Sequence, residues 1–229
     1  MSTAKLYAIG VGPGAHDLLT LRAVRALASS DVILAPTSTK NEFSMALDIA
    51  RPHLKPGAQI QRLDFPMTRN HTELETARNV AFNIICSFLG QSLTTAFLTL
   101  GDPLLYSTFG YFLDRLKKTD FPIEIIPGIT SFQAAAAKAQ IVLVEGEESL
   151  TVISGIDKRI FEKLEEAEAA VILKVYRNYR AIYEALKKSG RAEDSITASF
   201  VEQENEAFIK AEPASRPPYM SLILSPKKE

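Results

Sequence analysis

The sequence contains no tryptophan, one cysteine and three histidines among 229 residues. The lone thiol of Cys86 cannot form an internal disulfide, and no cysteines and histidines have the spacing of a metal site. We therefore expect no bound metal and a reducing, cytoplasmic environment. No run of about 18 apolar residues is present, so no membrane-spanning helix and no membrane partner are predicted. Gly10 and Pro13 interrupt the first apolar run, so no targeting segment is expected.

An excess of charge of either sign is also missing. Lysine and arginine number 26 and aspartate and glutamate 27, which leaves a formal net charge of -1. A protein that neutralises several phosphates of a nucleic acid needs a clear positive excess, so we expect no nucleic-acid partner. With 46% hydrophobic residues, the chain has the composition of a soluble globular protein that buries a core without covalent staples.

Short apolar runs alternate with stretches of helical period, which is the pattern of βαβ units. The predicted fold class is α/β, with two α/β domains of unequal size and the cofactor cleft between them. An acidic, glycine-containing stretch at 145–148 separates the domains, which we place at residues 1–143 and 149–229. The predicted strands are Lys5–Ile9, Asp31–Leu34, Ile60–Phe65, Thr95–Leu100, Ile123–Ile126, Leu150–Ser154, Ala170–Val175, Ile196–Val201 and Tyr219–Leu224.

Helices are predicted from capping residues and apolar period. Thr20 has the chemistry of an N-cap, and Leu21, Val24 and Ala28 share one face of the helix after it, which is expected to pack between the first two strands. Thr72–Glu75 fits a capping box at the start of a long helix, whose apolar stripe places Cys86 in the core. Further helices are predicted from Ser107 toward Lys118, after Thr130, over Lys158–Glu168 and over Tyr179–Lys188, and the proline-rich segment Ala211–Pro218 is predicted to be a loop.

A glycine-rich bend, Gly10–Gly14, follows the first strand, where a ligand can approach the backbone closely. The bend fits the dinucleotide fingerprint poorly. Pro13 interrupts it, and the second strand reaches Pro36 where that fingerprint needs an acid for a ribose hydroxyl. A nicotinamide-dependent dehydrogenase is therefore an alternative that the sequence does not favour.

Two more loops follow strands in the same way. Leu100–Thr108 contains a Gly-Asp-Pro turn, and Pro127–Ser131 offers two hydroxyls at a predicted helix start. In an open α/β sheet the carboxyl ends of neighbouring parallel strands lie at one edge, so we expect these loops and Gly10–Gly14 to line one crevice.

The sequences of these loops resemble those of a known family. GVGPG at Gly10–Gly14 with LLTLRA after it, LGDPLLYSTFGY from Leu100 and PGITSFQAAAA from Pro127 look like the tetrapyrrole methylases, which methylate uroporphyrinogen and corrin precursors with S-adenosylmethionine. The resemblance spans the chain, including Ser154-Gly155-Ile156. Together with LKVYRN at Leu173–Asn178, the wording is most similar to the enzymes that methylate C-20 of precorrin-2 or cobalt-factor II for cobalamin.

The resemblance implies an S-adenosylmethionine-dependent C-methyltransferase of porphyrin and cobalamin biosynthesis, a homodimer, with S-adenosylhomocysteine as product. An aspartate with a proposed base role in some sirohaem-forming relatives is replaced here by Pro36, so that role does not transfer. The cofactor-binding positions implied by the resemblance are Gly12, Pro13, Leu100, Gly101, Asp102, Leu105, Tyr106, Thr130, Ser131 and Ser154.

Methyl transfer from a sulfonium needs alignment and exclusion of water, not a protein nucleophile. If a base removes a proton afterwards, Tyr106 and His71 are the candidates, with Tyr106 kept as the catalytic one. A macrocycle edged with carboxylates calls for basic side chains. Lys174 and Arg177 are the preferred substrate-binding residues, and the other candidates are Lys40, Arg51, Lys55, Arg62 and Arg69.

Several alternatives stay open at this stage. One is another tetrapyrrole methylase that acts on a different ring carbon, and another is a non-catalytic nucleotide-binding domain. A ribosomal RNA methylase of the same broad family lacks the expected charge footprint. The sequence leaves open whether the substrate contains cobalt.

Overall fold

A computed structural model describes residues 4–38, 43–68, 70–212 and 216–227. It has the α/β fold predicted from the sequence, with two five-stranded sheets. The chain divides into two compact units, Met1–Thr130 and Ser131–Glu229. This division precedes the expected boundary at 143–149, because the helix at 131–139 contacts a strand of the second unit. Among the described residues, no helix combines the length and apolar character needed to span a bilayer.

The first unit contains a fully parallel sheet with the strand order β3-β2-β4-β1-β5. Runs of Val, Ile, Leu and Phe suit strands that are covered on both faces. The strands are β1 (Leu6–Gly10), β2 (Val32–Ser38), β3 (Gln59–Phe65), β4 (Thr95–Thr99) and β5 (Ile123–Ile126), and the helices are α1 (Leu21–Ser29), α2 (Met45–Ala50), α3 (His71–Gly90) and α4 (Gly110–Leu116).

Helices cover both faces of this sheet. Residues of α1 and α2 pack against one face, and residues of α3 and α4 pack against the other. On the second face, the ring of Phe97 contacts those of Phe109 and Phe112, with ring centroids 5.4 and 5.8 Å apart. These rings place α4 against β4 and thereby fix where the loop between them begins and ends.

The helix starts confirm one predicted cap and correct another. The Thr20 side chain accepts a hydrogen bond from the Ala23 amide, as an N-cap does. The predicted capping box at Thr72 is wrong, because Asn70 caps α3 and its side-chain oxygen accepts from the amides of Thr72 and Glu73.

Two side-chain placements also differ from the predictions. The buried residues of α1 are Ala23, Ala26 and Leu27, whereas Leu21 is 77% exposed. The buried face of α1 is therefore rotated from the predicted one and is formed by Ala23, Ala26 and Leu27. Cys86 is half-buried and not part of the core.

The second unit has a mixed sheet with the order β6-β7-β10-β8-β9. Only β6 and β7 are parallel, and the other neighbours are antiparallel. The predicted strand Ala170–Val175 ends early, because Val175 lies in a short 3-10 turn. The elements are α5 (Ser131–Ala139), β6 (Leu150–Ser154), α6 (Ile160–Glu166), β7 (Ala169–Leu173), α7 (Tyr179–Lys188), β8 (Ile196–Ser199), β9 (Ala207–Lys210) and β10 (Ser221–Ser225).

A buried arginine holds the end of α6 in place. Arg191 is 5% exposed, and its guanidinium donates to four backbone carbonyls. Burial lowers its pKa from the ordinary value, while the carbonyl dipoles at the helix end stabilise its positive charge. The four acceptors are the carbonyls of Leu164, Ala167, Glu168 and Pro226.

Candidate functional site

Three loops leave the carboxyl ends of the adjacent strands β4, β1 and β5 in the first unit. The chain leaves β1 toward α1 on one face of the sheet and leaves β4 toward α4 on the other. Neighbouring parallel strands whose connections run to opposite faces open a crevice at their carboxyl ends. The crevice is therefore built into the strand order before any side chain is considered.

Two of these loops are hydrogen-bonded to each other through glycines. The Gly101 amide donates to the Gly12 carbonyl over 2.8 Å, and the reverse bond measures 3.4 Å. Both glycines have positive φ angles, +80° at Gly12 and +71° at Gly101, which side chains disfavour. The bends after β1 and β4 thus form one continuous backbone surface.

Asp102 joins the third loop to the other two. One carboxylate oxygen accepts from the Gly128 amide over 3.1 Å, and the other accepts from the Leu104 amide over 2.8 Å. The loops also touch directly, since a Cβ atom placed on Gly10 would lie 2.5 Å from the Gly101 carbonyl oxygen. The predicted convergence of the three loops is confirmed.

The loop after β4 carries a strained residue. Tyr106 has a φ of +50°, a conformation that a bulky non-glycine residue rarely adopts, and its side chain is 48% exposed. The Ser107 hydroxyl donates to the Pro103 carbonyl and closes the turn. Leu105 is half-buried next to it. The predicted helix start at Ser107 is therefore wrong, because this turn delays α4 to Gly110.

Thr99, which the sequence analysis did not select, ends β4 directly before this loop. It is 8% exposed, and within the described residues its buried hydroxyl has no hydrogen-bond partner. A Cβ atom on nearby Gly101 would meet nothing within 4 Å. A polar ligand beside these loops would find both room and an unused hydroxyl. The sequence offers no signal for Thr99, because a buried hydroxyl without a partner is recognised only from the folded structure.

The remaining cofactor-binding candidates lie on either side of the division between the units. Pro13 lies in the first bend, and Thr130 is the last residue of the first unit. Ser131 begins α5, and Ser154 ends β6.

In the second unit, Ser154 and Lys174 lie at one edge of the sheet. Ser154 pairs with Leu173 in the parallel register of β6 and β7, and the Gly155 amide donates to the Leu173 carbonyl over 2.6 Å. Lys174 follows with a left-handed φ of +59°. Arg177 completes the short turn that leads into α7.

Other candidates lie elsewhere. Lys55 binds Asp31 over 2.6 Å, and Asp31 precedes β2, at the edge of the sheet opposite the three loops. His71 begins α3 after the edge strand β3, which β2 and β4 separate from β1. Arg51 lies in the turn after α2 and Arg62 within β3. The basic candidates Lys40 and Arg69 lie outside the described residues.

The thiol of Cys86 is poorly suited to nucleophilic chemistry. Burial raises its pKa above the ordinary value, so the thiol is protonated at neutral pH. Across the described ranges, no three His, Cys, Asp or Glu side chains are grouped closely enough to hold a metal ion.

Comparisons with known proteins give a consistent result. A family model of the tetrapyrrole (corrin/porphyrin) methylases matches residues 5–210. The cobalt-precorrin-2 C(20)-methyltransferase of Salmonella typhimurium is 34% identical over 98% of this chain and 97% of its own length. The precorrin-2 C(20)-methyltransferase of a Sinorhizobium species is 32% identical over 99% of this chain and 96% of its own.

Solved structures show the same fold. A cobalt precorrin-4 methyltransferase aligns with a TM-score of 0.77 at 19% identity, covering 97% of this chain and 94% of its own. A uroporphyrin-III C-methyltransferase from Thermus thermophilus, complexed with S-adenyl homocysteine, aligns with a TM-score of 0.68 at 19% identity, covering 97% of each chain.

Proposed function

Because the chain belongs to the tetrapyrrole methylase family, we propose that it transfers a methyl group from S-adenosylmethionine to C-20 of precorrin-2 or cobalt-precorrin-2 in cobalamin biosynthesis. The observation that carries this proposal is identity of 32 to 34% over nearly the whole chain to two relatives named for this carbon. One is named for the cobalt-containing substrate and the other for the metal-free one, so both belong in the test.

The three loops of the first unit suit a ligand such as S-adenosylmethionine. The left-handed glycines let it approach the backbone, and the space beside Gly101 gives it room. The buried Thr99 hydroxyl is a polar group that a ligand can satisfy. The positions proposed to hold the cofactor are Gly12, Pro13, Leu100, Gly101, Asp102, Leu105, Tyr106, Thr130, Ser131 and Ser154.

When bound, S-adenosylmethionine supplies a methyl group on a sulfonium that is transferred by in-line displacement. The part of the chain is to hold the donor in line and to exclude water, for which a rigid backbone surface is suited. The Asp102 carboxylate accepts hydrogen bonds from the Gly128 and Leu104 amides and thereby fixes that surface. Tyr106, in the same loop, is the candidate for removing the proton from the methylated carbon.

The alternatives receive less support. The dehydrogenase alternative needs an acid near the carboxyl end of β2, where this chain has Pro36, Thr37 and Ser38. We also propose that the protein acts as a homodimer in the cytoplasm, which is supported by its resemblance to the family.

The direct test uses methyl-labelled S-adenosylmethionine with precorrin-2 and, separately, with cobalt-precorrin-2. We expect label on C-20 of at least one product by NMR. Label on another ring carbon would show that C-20 is the wrong position, although the protein would still be a tetrapyrrole methyltransferase. No transfer to either macrocycle, together with no heat on titration of S-adenosylhomocysteine, would refute the proposal. Enhanced NADH fluorescence on mixing would favour the dehydrogenase instead.

A further inference from the structure

The second unit contains a cavity of about 630 Å³ beside the start of α7. We call it the arginine cavity, because Arg177, Arg180 and Arg216 line it together with Tyr176 and Tyr179. Glu184 is the one carboxylate among the described residues that line it. The cavity thus has an excess of positive charge on aromatic walls, which suits a ligand with acid groups on a flat apolar body.

Arg216 is held in a fixed orientation in this cavity. Its Nε–H group donates to the Tyr176 carbonyl over 2.9 Å, and its guanidinium lies 3.9 Å above the centre of the Tyr176 ring. The rings of Tyr219 and Tyr176 form a T-shaped pair in turn, with ring centroids 6.1 Å apart. Stacking and one hydrogen bond orient the planar group and leave its two terminal nitrogens for a carboxylate.

No carboxylate of the described residues forms an ion pair with this group. Among the ion pairs that the described residues form, none includes Arg216, Arg177 or Arg180. All three side chains are exposed at the cavity.

A buried tyrosine that lines the cavity also binds the backbone of Glu212. Tyr179 is 4% exposed, and its hydroxyl accepts from the Glu212 amide over 3.2 Å and lies 3.3 Å from the Thr197 hydroxyl. The Ala211 amide donates to the Ser195 carbonyl over 2.9 Å. These contacts hold Ala211 and Glu212 in place.

The arginine cavity lies beside the sheet edge that carries Ser154 and Lys174. The Asn178 side chain lines the cavity and donates to the Gly155 carbonyl over 3.0 Å. Gly155 directly follows Ser154, and its amide bonds to Leu173 before Lys174. A ligand that reaches this edge thus has the cavity within the same unit.

We propose that the arginine cavity binds a carboxylate side chain of the tetrapyrrole substrate, with Arg216 as its bidentate partner. This inference rests on the proposed function, which supplies a macrocycle rimmed with acid groups. Arg177 and Arg180 add positive charge around the same carboxylate, and the Tyr176 ring contacts the apolar part of its arm.

The test compares Arg216→Gln with Arg25→Gln in the full chain. Arg25 is an exposed residue of α1, so its replacement removes the same charge from outside the cavity. Two further variants, Arg216→Lys and Tyr176→Leu, separate charge from orientation. The readouts are the affinity for uroporphyrin by absorbance titration, the affinity for S-adenosylhomocysteine by calorimetry, and the KM for the tetrapyrrole.

We expect Arg216→Gln to weaken uroporphyrin binding about tenfold, as for the loss of one charged hydrogen-bonding group. Tyr176→Leu and Arg216→Lys should each cause a smaller loss, and S-adenosylhomocysteine affinity should stay unchanged. Equal uroporphyrin affinities for Arg216→Gln and Arg25→Gln would overturn the inference, even with turnover intact. The predicted binding losses in a protein that methylates no tetrapyrrole would support the cavity and count against the proposed function.

Discussion

The two units form their candidate binding sites in different ways. We call the three loops of the first unit the first edge, and the arginine cavity with the sheet edge beside it the second edge. In the first unit the edge consists of backbone, with Gly12 and Gly101 paired and Gly128 tied to Asp102. In the second unit it consists of side chains, with Arg216 stacked on Tyr176. A surface of backbone lets a ligand approach closely and has few groups that can change position. A surface of side chains can match the charge and the shape of its ligand. This contrast fits the two proposals above, in which the first unit holds the methyl donor and the arginine cavity holds an acid group of the acceptor.

The largest expected effect on stability and cofactor affinity comes from Gly128→Ala, which adds one carbon to the first edge. The new Cβ atom in Gly128→Ala would overlap the Gly101 carbonyl oxygen, and neither loop can move without breaking the contact between them. We expect about 3 kcal/mol lower stability in urea unfolding. S-adenosylhomocysteine affinity should fall roughly a hundredfold by calorimetry.

Gly110→Ala is the matched control, since a Cβ atom at this first residue of α4 meets nothing within 4 Å. That variant should be neutral or slightly stabilised, because alanine favours helices over glycine. If Gly128→Ala and Gly110→Ala behaved alike, the idea that the first edge depends on bare backbone would be wrong.

A somewhat smaller effect on stability is expected from replacing Arg191. This residue tests whether the second unit also depends on side chains outside its candidate binding site. Arg191→Met keeps much of the volume and removes every donor to the four carbonyls around the end of α6. A cavity of about 470 Å³ lies beside Arg191, Leu164 and Glu168. We expect a loss of about 2 kcal/mol in urea unfolding.

The exposed Lys187 of α7 provides the comparison for that experiment. Lys187→Met removes a positive charge without removing a buried donor, so its stability should change by less than about 0.5 kcal/mol. A loss of equal size in both variants would show that net charge, and not carbonyl capping, governs the result.

The smallest expected effect on stability comes from Asp31, at the amino-terminal edge of the first sheet. Here a side chain, and not the backbone alone, makes the contacts. The Asp31 carboxylate binds Lys55 and accepts from the Thr94 amide, and these contacts lower its pKa below the ordinary value. A lowered pKa in the folded state stabilises the protein at neutral pH, and this contribution disappears as the pH falls below about 4.

Asp31→Asn should therefore lower the free energy of unfolding by less than about 1 kcal/mol at pH 7, because the pair is partly exposed and screened. The difference from the unmodified protein should shrink toward pH 3 in urea titrations. A difference that stayed constant across this range would mean that the carboxylate charge plays no part.

The first edge could be predicted from the sequence, because its signals lie close together along the chain. Glycines at Gly12 and Gly101 after apolar runs mark sharp bends, and parallel strands bring their carboxyl ends together without help from side chains. Short elements with weak periodicity were missed, among them α2 and β9. The cap of α3 was misassigned because Asn70 and Thr72 both have capping chemistry, and only the backbone geometry selects between them.

The second edge was harder to predict, because its parts are distant in sequence. Arg216 contacts Tyr176 across 40 positions, from a proline-rich segment that sequence patterns identify only as a loop. Arg177 was selected because it follows a strand, while nothing local to Arg216 indicates its stacking partner. The Thr99 hydroxyl was overlooked for a similar reason, since burial without a partner is visible only in three dimensions.

The mutual hydrogen bonds of Gly12 and Gly101 have a consequence for engineering this protein. Because each bend occupies the amide and carbonyl of the other, a library that diversifies one bend alone will mostly yield mismatched partners. Redesign for a bulkier sulfonium donor should therefore transplant both segments as a single cassette, and variants selected in that way should carry compensating changes in both.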